Sequence, residues 1–410
     1  MLTAVELFAG AGGLGMGISL AGFKPLAVIE WDRWASDTLR ENKERWFPLV
    51  ADWPIHAGDV RKFDYSTLPE GVDLVSGGPP CQPFSMGGKH KAYDDHRDMF
   101  PTTVEVIRKL RPRAFIVENV KGLTRSSFAN YYNYILLQLE NPEIAREQDE
   151  DWSEHYARLQ REHTAGKRHG LTYNVVPTLV NAANYGVPQK RERVFIVGFR
   201  DDLGIEWSFP EPTHSHEALL VDQWVTGEYW ERHRISKARR PTRPDGLTTR
   251  IGQLRRRNDR PNLHQRPWNT VRDALSDMPN PELWFGSEDW FDHRFQPGAR
   301  VYVGHTGSPL DLPAKTLKAG DHGVPGGENM MVKDDGSVRY FTVRESARLQ
   351  TFPDNFVFHG AWGETMRQLG NAVPVTLAHL VAASVAQRLL QHDHARLVQR
   401  LMQEQCEGAA

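Results

Sequence analysis

Continuous apolar runs, each followed by a glycine-rich or polar turn, mark the first 200 residues. The clearest runs are 4–8, 26–29, 72–75, 114–117 and 194–198. They are apolar except at Glu6 and Asp73, and 114–117 shows no polar–apolar alternation, which is typical of a strand buried on both faces of a parallel sheet. Helices are expected between them, and this rhythm predicts an α/β, Rossmann-like fold with a mostly parallel sheet.

The pattern changes at about residue 201. Proline, arginine and tryptophan become frequent and periodicity fades until about residue 339. A charged stretch at 143–169, with seven acidic and five basic residues, predicts a solvated insertion. The expected organisation is an α/β domain at 1–200, a smaller irregular, β-rich domain at 201–338, and a C-terminal part at 339–410 that returns to the first domain.

The composition is that of an ordinary globular protein. Of the 410 residues, 40% are hydrophobic and 25% are charged, which is enough for two domains. The apolar runs are shorter than the roughly 20 residues of a membrane span, so a cytoplasmic protein is expected. Its two cysteines, Cys81 and Cys406, are too few for a disulfide framework or a zinc site.

The net charge of −2 hides a strongly basic segment. Between residues 231 and 266, eleven Arg and one Lys stand against three acidic residues. Clustered arginine is typical of nucleic-acid-binding surfaces, but a solvated protein face can have the same composition. Charge alone leaves both interpretations open.

Cys81 is the leading candidate for chemistry. It lies in the stiff turn 77–85 (GGPPCQPFS), at the expected carboxyl end of the strand at 72–75. Ligands gather at this end of the strands in open parallel sheets. A solitary cysteine is more often a small buried hydrophobe, but its place on a rigid loop favours a nucleophile. A polar segment at 86–96 follows, and we expect it to be mobile and to close over substrate.

The turn after the first strand, at 9–17, has the chemistry of a cofactor loop. Gly10, Gly12 and Gly15 satisfy G-x-G-x-x-G, in which glycines admit a ligand to the backbone and a helix amino terminus offers free amides. Glu30 ends the second strand, where a carboxylate suits ribose hydroxyls. These features fit NAD and S-adenosylmethionine equally well.

Further polar residues follow other predicted strands. Trp31 is placed to stack on a purine, and Asp59 to accept from an adenine amino group, although a turn aspartate is the simpler explanation. Glu118 ends the fourth buried run, where burial raises a carboxyl pKa; a helix cap is the alternative. Arg191 and Arg193 share one side of an extended segment, as a phosphate clamp or as support for a base.

Together, these segments resemble the bacterial DNA cytosine methyltransferases of restriction-modification systems, which form 5-methylcytosine. The matching segments occur in the family's order: 6–13 (ELFAGAGG), 79–85 (PPCQPFS), 118–120 (ENV), 189–193 (QKRER) and 370–373 (GNAV). The match spans most of the chain outside 143–169 and the central domain. It implies that 1–200 is the catalytic and cofactor-binding domain, that 201–338 is the target recognition domain, and that 339–410 returns to the catalytic domain. It implies S-adenosyl-L-methionine as the cofactor, S-adenosyl-L-homocysteine as the product, and no metal.

The resemblance also implies residue roles. Cys81 is implied to add to carbon 6 of a flipped-out cytosine, Glu118 to protonate N3, and Arg191 and Arg193 to steady the base carbonyl and Glu118. The implied cofactor-binding residues are Phe8, Gly10, Gly12, Glu30, Trp31, Asp59, Val60, Pro80, Met99, Asn371 and Val373. The implied DNA-binding residues are Gln82, Ser85, Arg255, Arg256, Thr316 and Leu317.

The implied partner is double-stranded DNA with a short target sequence, together with a restriction endonuclease or other defence genes acting on the same site. A cytoplasmic, nucleoid-associated monomer without membrane contact is expected. An NAD oxidoreductase would leave Cys81, Glu118 and Arg193 unassigned, and intact Cys81 and Glu118 argue against a DNA-binding protein without catalysis. A tRNA cytosine-5 methyltransferase remains the nearest alternative, but that branch carries a Cys-Phe-Thr signature, and Cys406 is the sole cysteine after Cys81.

Overall fold

The computed structural model describes residues 1–80, 98–166, 170–256, 264–283, 290–303, 305–319 and 329–407. The chain forms two compact units. The first comprises Met1–Val180, Arg193–Pro210 and Ala378–Ala410, and the second comprises Asn181–Glu192 and Glu211–Leu377. The chain therefore returns to the first unit at Ala378, whereas the sequence pattern placed this return at about residue 339.

The first unit has the alternation of strands and helices that the sequence predicts. Each of the five continuous apolar runs forms a strand. The elements are β1 (Leu2–Leu7), α1 (Gly13–Leu20), β2 (Phe23–Glu30), α2 (Arg33–Glu44), β3 (Ile55–Ala57), β4 (Leu74–Gly77), α3 (Phe100–Leu110), β5 (Ala114–Val120), α4 (Ala129–Glu140), α5 (Trp152–Thr164), β6 (Tyr173–Asn181) and β7 (Glu192–Arg200).

These strands form one sheet in the order β3-β2-β1-β4-β5-β7-β6. β1 pairs in parallel with both β2 and β4, the β2–β3 and β4–β5 pairs are also parallel, and β7 runs antiparallel to β5. Val5, Leu7 and Val75 pack with Val104 and Ile107 of α3 in one buried cluster. The predicted mostly parallel, Rossmann-like sheet is confirmed, and its strand order reverses between β1 and β4.

The charged insertion is more ordered than the sequence predicts. α5 begins at a capping box formed by Asp151 and Glu154. Its His155 is 1% exposed and contacts the Tyr134 hydroxyl and the Ile144 carbonyl, both at 2.8 Å. Burial lowers the pKa of His155, which favours the neutral imidazole. This segment is therefore a packed helix of the first unit with a solvated charged face.

The second unit is irregular, as predicted, but it is not β-rich in the part that the structure describes. Its strands have only two or three residues, and short helices separate them. The elements are β8 (His214–Ser215), α6 (His216–Val221), α7 (Glu228–Arg232), α8 (Thr248–Arg256), β9 (Arg266–Pro267), α9 (Val271–Leu275), β10 (Ser308–Pro309), β11 (Met330–Val332), β12 (Val338–Tyr340), α10 (Val343–Leu349) and α11 (Trp362–Asn371).

Buried polar side chains order this second unit. Thr342 and Glu345 form the capping box of α10 that their spacing predicts, with bonds of 3.1 Å and 2.8 Å. The same glutamate accepts a 2.7 Å bond from Arg339. All three side chains are at most 7% exposed, and buried ion pairs of this kind depend on such additional hydrogen bonds.

The last helix, α12 (Val375–Glu407), begins in the second unit and continues into the first. Within the first unit, Arg113 bonds to Asp73 at 2.9 Å and to Asp393 of α12. Among the described residues, the stretch Trp362–Glu407 includes an 18-residue segment that is apolar enough to cross a membrane, contrary to expectation. Of this segment, 67% is buried inside the protein, as in a core helix.

Candidate active site

The carboxyl ends of the five parallel strands of the first unit lie along one edge of its sheet. Most of the first-unit residues predicted to bind cofactor or perform chemistry follow these ends directly. In doubly wound sheets, ligands bind outside the carboxyl ends of the strands where the strand order reverses, here between β1 and β4. The segments at this edge are 8–12 after β1, 30–32 at β2, 58–60 after β3, 78–80 after β4 and 118–120 at β5.

A strained turn connects β1 to α1. Phe8, Gly10 and Gly12 have φ angles of +54°, +55° and +82°, and such strain in a residue with a side chain often marks a ligand site. A Cβ on Gly10 would meet nothing within 4 Å, whereas one on Gly12 would lie 2.8 Å from the Leu39 side chain. Gly10 therefore leaves room for a ligand, and Gly12 is required by packing.

Glu30 fixes this turn from the neighbouring strand. Its two carboxylate oxygens accept bonds from the amides of Gly10 and Asp32, each at 2.6 Å. Burial raises the pKa of Glu30, and the two amides oppose this shift. Each oxygen keeps a second lone pair, so the carboxylate can still accept from a ligand hydroxyl. The Trp31 side chain beside it is 71% exposed, which leaves its ring face available for stacking.

The segment after β3 is less open than its sequence suggests. Asp59 receives bonds from the Arg61 guanidinium at 2.6–3.1 Å, and this contact lowers the pKa of the carboxyl group. Val60 is 4% exposed and packs in the core. An adenine amino group would therefore share Asp59 with Arg61.

The turn that leads to the predicted nucleophile is held by its neighbours. The Asn119 side-chain amide donates to the Pro79 carbonyl at 3.0 Å, and the Met99 backbone amide donates to the Pro80 carbonyl at 3.3 Å. Pro79 is buried and Pro80 is exposed. Cys81 follows Pro80 directly but lies outside the described residues, as do Gln82, Ser85 and the segment at 86–96.

Glu118 and Arg193 form an ion pair at this edge. The distance between Glu118 Oε1 and Arg193 Nε is 2.8 Å, and the two side chains are 8% and 11% exposed. A Cβ on Gly78 would lie 3.2 Å from Glu118 Oε2, which places the carboxylate against the start of the proline turn. Burial lowers the pKa of Arg193, and Glu118 counteracts that shift. A guanidinium this close favours the carboxylate form, so protonation of Glu118 stays a prediction.

Arg191 occupies a different environment, inside the second unit. Its guanidinium donates to the carbonyls of Leu317, Gly370 and Ala372 at 2.7–3.1 Å, and the residue has no exposed surface. Asn371, a predicted cofactor ligand, is exposed between two of these carbonyls. Arg191 thus fixes the backbone on both sides of Asn371, while Val373 is 6% exposed.

The predicted DNA-binding residues Thr316 and Leu317 lie in a partly buried segment. Gln189, which is fully buried, accepts from the Leu317 amide at 3.0 Å and donates to the Leu349 carbonyl at 3.2 Å. Leu317 is 1% exposed and belongs to a hydrophobic cluster. Its side chain therefore supports the segment from the core and is not offered to DNA, in contrast to the expectation from sequence. Thr316 is half-buried and donates to the Lys190 carbonyl at 2.6 Å.

A model of the C-5 cytosine-specific DNA methylase family matches residues 2–143 and 153–387. The chain belongs to this family. The residues between the two matched segments, 144–152, lie in the charged insertion that carries the start of α5. The matched range includes the second unit as well as the sheet of the first.

Type II methyltransferase M.PspPI of Psychrobacter sp. (strain TA137) is 30% identical over 397 residues, which cover 94% of this chain and 79% of that protein. Type II methyltransferase M.NgoMIV of Neisseria gonorrhoeae is 28% identical and covers 95% and 99%, respectively. The structure of S. pombe Dnmt2 methyltransferase has a TM-score of 0.53 at 16% identity, covering 95% and 99%, and supports the fold alone. The protein is thus a DNA cytosine-5 methyltransferase that uses S-adenosylmethionine, as its family does.

The arginines of this methyltransferase at 231–266 fall into two groups. Some are fixed within the second unit: Arg232 pairs with Asp222 at 3.0 Å, and Arg255 donates to the Trp224 carbonyl at 2.8 Å. The others form no ion pair with the residues that the structure describes. This second group consists of Arg234, Arg239, Arg240, Arg243, Arg256 and Arg266, whereas Arg250 pairs with Glu217. Arg239 also acts on the Asp334 carboxyl group, and the Arg240 Nε atom is buried, so Arg234, Arg243 and Arg256 are among the members best placed for an anionic ligand.

Sequence reasoning missed two supporting residues. Asn119 had no assigned role beside Glu118, although it positions the Pro79 carbonyl. Gln189 was recognised only as part of the QKRER segment, although it connects two parts of the second unit. A buried amide that bonds to a distant backbone leaves no periodic pattern, so neither role was visible from the sequence.

Proposed function

We propose that the enzyme methylates carbon 5 of one cytosine within a short duplex sequence, through a covalent adduct between Cys81 and carbon 6. The observation that carries this proposal is the Glu118–Arg193 pair against Gly78, next to the turn that leads into Cys81. It supplies a buried acid and a fixed cation beside the nucleophile that the sequence indicates. The proposal goes beyond family membership in assigning each of these residues a step.

Carbon 5 of cytosine is too weak a nucleophile to accept a methyl group until the ring loses its aromaticity. The Cys81 thiolate adds to carbon 6, and Glu118 delivers a proton to N3 as negative charge builds on the ring. Arg193 holds Glu118 in place and stabilises charge on the base carbonyl. After methylation, loss of the carbon 5 proton to solvent expels the Cys81 thiolate, N3 returns its proton to Glu118, and the aromatic ring is restored.

The first-unit edge fits S-adenosylmethionine. When bound, this cofactor supplies an electrophilic methyl group. Gly10 leaves open space beside the amino terminus of α1, Glu30 retains acceptor capacity for ribose hydroxyls, and the exposed Trp31 ring offers a stacking surface. We assign the adenine-side contacts to Asp59 and Val60, and the remaining contacts to Phe8, Gly12, Pro80, Met99, Asn371 and Val373.

Duplex DNA is the proposed substrate because several arginines of the second unit, Arg234, Arg243 and Arg256 among them, form no ion pair with the residues that the structure describes. Such arginines contact phosphates and, in the major groove, favour guanine. A cytosine inside a base stack cannot receive Cys81, so the enzyme must extrude it. Arg256, Arg255 and Thr316, together with Gln82 and Ser85, are the proposed contacts.

The cellular setting follows from the Type II relatives. We propose that the enzyme acts as a monomer in the cytoplasm on nucleoid DNA. A restriction endonuclease, or other defence genes directed at the same sequence, is its proposed partner.

Bisulfite sequencing of mixed genomic DNA incubated with the enzyme and S-adenosylmethionine tests the function and identifies the target together. The expected result is protection of cytosine at one short sequence. A parallel incubation with total tRNA serves as the control. Methylated tRNA with unmodified DNA would overturn the proposal in favour of the tRNA enzyme.

A further inference from the structure

Two polar side chains lie buried side by side beneath the cofactor turn, and the proposed chemistry uses neither. Glu6 of β1 is paired in register with Ser76 of β4, so both project from the same face of the sheet. They are 3% and 1% exposed. Within the described residues, the Glu6 carboxyl oxygens and the Ser76 hydroxyl lack a hydrogen-bond partner of standard geometry, although the Gly15 amide is close enough to lower the pKa of Glu6. Buried polar groups without partners are rare in native proteins and call for a functional or structural reason.

The helix above them is shaped around Glu6. A Cβ on Gly15 would lie 1.9 Å from Glu6 Oε2 and 2.8 Å from the Trp53 ring. The third glycine of G-x-G-x-x-G is therefore needed because the Glu6 carboxyl group fills that space. Since Gly15 belongs to the first turn of α1, the position of Glu6 sets how closely this turn approaches the sheet.

The charged groups around Glu6 do not compensate a negative charge there. The negative charge of Glu30 on β2 would repel a negative charge on Glu6, and α1 and β4 carry no charged side chain. Lys43 of α2 is engaged with the Trp53 carbonyl at 2.5 Å. The Gly15 amide lowers the pKa of Glu6, but burial outweighs it and raises the pKa to about 8. At neutral pH the side chain is therefore a carboxylic acid with one donor and one free acceptor.

We propose that Glu6 is a positioning residue for S-adenosylmethionine binding. As the neutral acid, together with Ser76, it fixes the first turn of α1 against the sheet and thereby positions the Gly10 backbone. Ionisation of Glu6 weakens this positioning. The inference rests on the proposed placement of the cofactor at this turn. Neutral Glu6 can accept from the Gly15 amide, and it keeps a proton to donate on the sheet face that it shares with Ser76. An anion at the same place repels Glu30 and leaves a buried charge without a cation.

The first test is the stability of the protein without cofactor as a function of pH. A folded-state pKa above the unfolded value stabilises the protein below the unfolded pKa, and this contribution is lost as pH rises through the folded pKa. Between pH 6 and 9, the folding constant of the wild type should fall at least about tenfold more than that of Glu6→Gln, which cannot ionise. Glu44→Gln, an exposed glutamate of α2, is the matched control and should follow the wild type.

The second test is the dissociation constant for S-adenosylmethionine, measured by calorimetry. From pH 6.5 to 9, binding to the wild type should weaken about tenfold, as expected for a group with pKa near 8, while Glu6→Gln should show little change. Glu6→Met, which has a similar size but no polar atoms, should bind the cofactor more weakly than Glu6→Gln at every pH. It also provides a second nonionisable variant should the first not fold.

The outcomes separate the two levels of inference. Equal pH dependence in wild type and Glu6→Gln would overturn the protonation of Glu6. A pH-dependent stability with equal cofactor binding by Glu6→Gln and Glu6→Met would reduce Glu6 to a structural residue and overturn the positioning role. No cofactor binding by the wild type at any pH, with the stability difference present, would overturn the cofactor site itself and this inference with it.

Discussion

The sheet edge of the first unit and the Gln189–Arg191 segment of the second unit are built by different means. At the edge, consecutive strand ends place backbone and short turns side by side, and Glu30 and Asn119 add local bonds. In the second unit, Gln189 and Arg191 reach to backbone groups at Leu317 that are far away in sequence. The first arrangement follows from hydrophobic pattern, and the second from side-chain geometry.

The contrast is sharpest between Arg191 and Arg193. They are two residues apart and chemically identical. Arg191 donates to three backbone carbonyls, whereas Arg193 forms an ion pair with the Glu118 carboxylate. The arginine on carbonyls organises backbone, whereas the arginine on the buried carboxylate is positioned to tune the proton donor that we propose. The two regions can therefore be separated by experiment.

The largest effect is expected at the nucleophile. Cys81→Ala should lower methyl transfer by at least about three orders of magnitude, because no other step makes carbon 5 nucleophilic. Single-turnover assays with labelled S-adenosylmethionine measure the rate, and binding assays should show that DNA and cofactor are still bound. Cys406→Ala, at the exposed cysteine of α12, is the control and should keep full activity. Methyl transfer by Cys81→Ala at the wild-type rate would remove the covalent step.

Arg193→Gln should reduce kcat by about 10²–10³-fold, the range observed when one charge-stabilising donor is removed. Without the neighbouring cation, the pKa of Glu118 is higher and the group stays protonated to higher pH. The alkaline limb of the pH–rate profile should therefore shift to higher pH. Single-turnover rates between pH 6 and 9 measure both changes. Arg193→Lys, which retains the charge, should recover part of the rate. An unchanged pH profile in Arg193→Gln would dissociate Arg193 from Glu118 in the reaction.

The sequence predicted the first region well because its information is local. The five apolar runs form the strands β1, β2, β4, β5 and β7. The carboxyl ends of the parallel strands β2 and β5 bring Glu30 and Glu118 to one edge of the sheet. It could not predict that Asp59 would be engaged by Arg61, nor that Leu317 would be buried, because both depend on which side chains a fold brings together. The expectation of a β-rich second unit was wrong for a related reason. Without periodicity, the prediction rested on amino-acid composition alone.

Arg191→Gln should act mainly on stability. Removing the guanidinium takes this donor from three buried carbonyls, of which Ala372 keeps a 3.4 Å bond from Gln350, and the expected loss is about 3 kcal/mol of unfolding free energy. Urea denaturation measures this loss, and Arg400→Gln, at an exposed arginine of α12, should leave stability within about 0.5 kcal/mol of the wild type. Wild-type stability with lost methyl transfer would instead place Arg191 in the chemistry, as the sequence suggested.

The smallest effect is expected on the DNA surface, where neighbouring arginines offer a matched pair. Arg256→Ala should lower the slope of log affinity against log salt by about one, because this guanidinium is free to release one counterion from a phosphate. Arg255→Ala should change the slope less, since Arg255 is engaged with the Trp224 carbonyl. Fluorescence anisotropy on a target duplex at several salt concentrations measures both slopes. A larger change for Arg255→Ala would mean that DNA displaces the Trp224 contact, and that side-chain contacts in the free protein do not reveal which arginines read DNA.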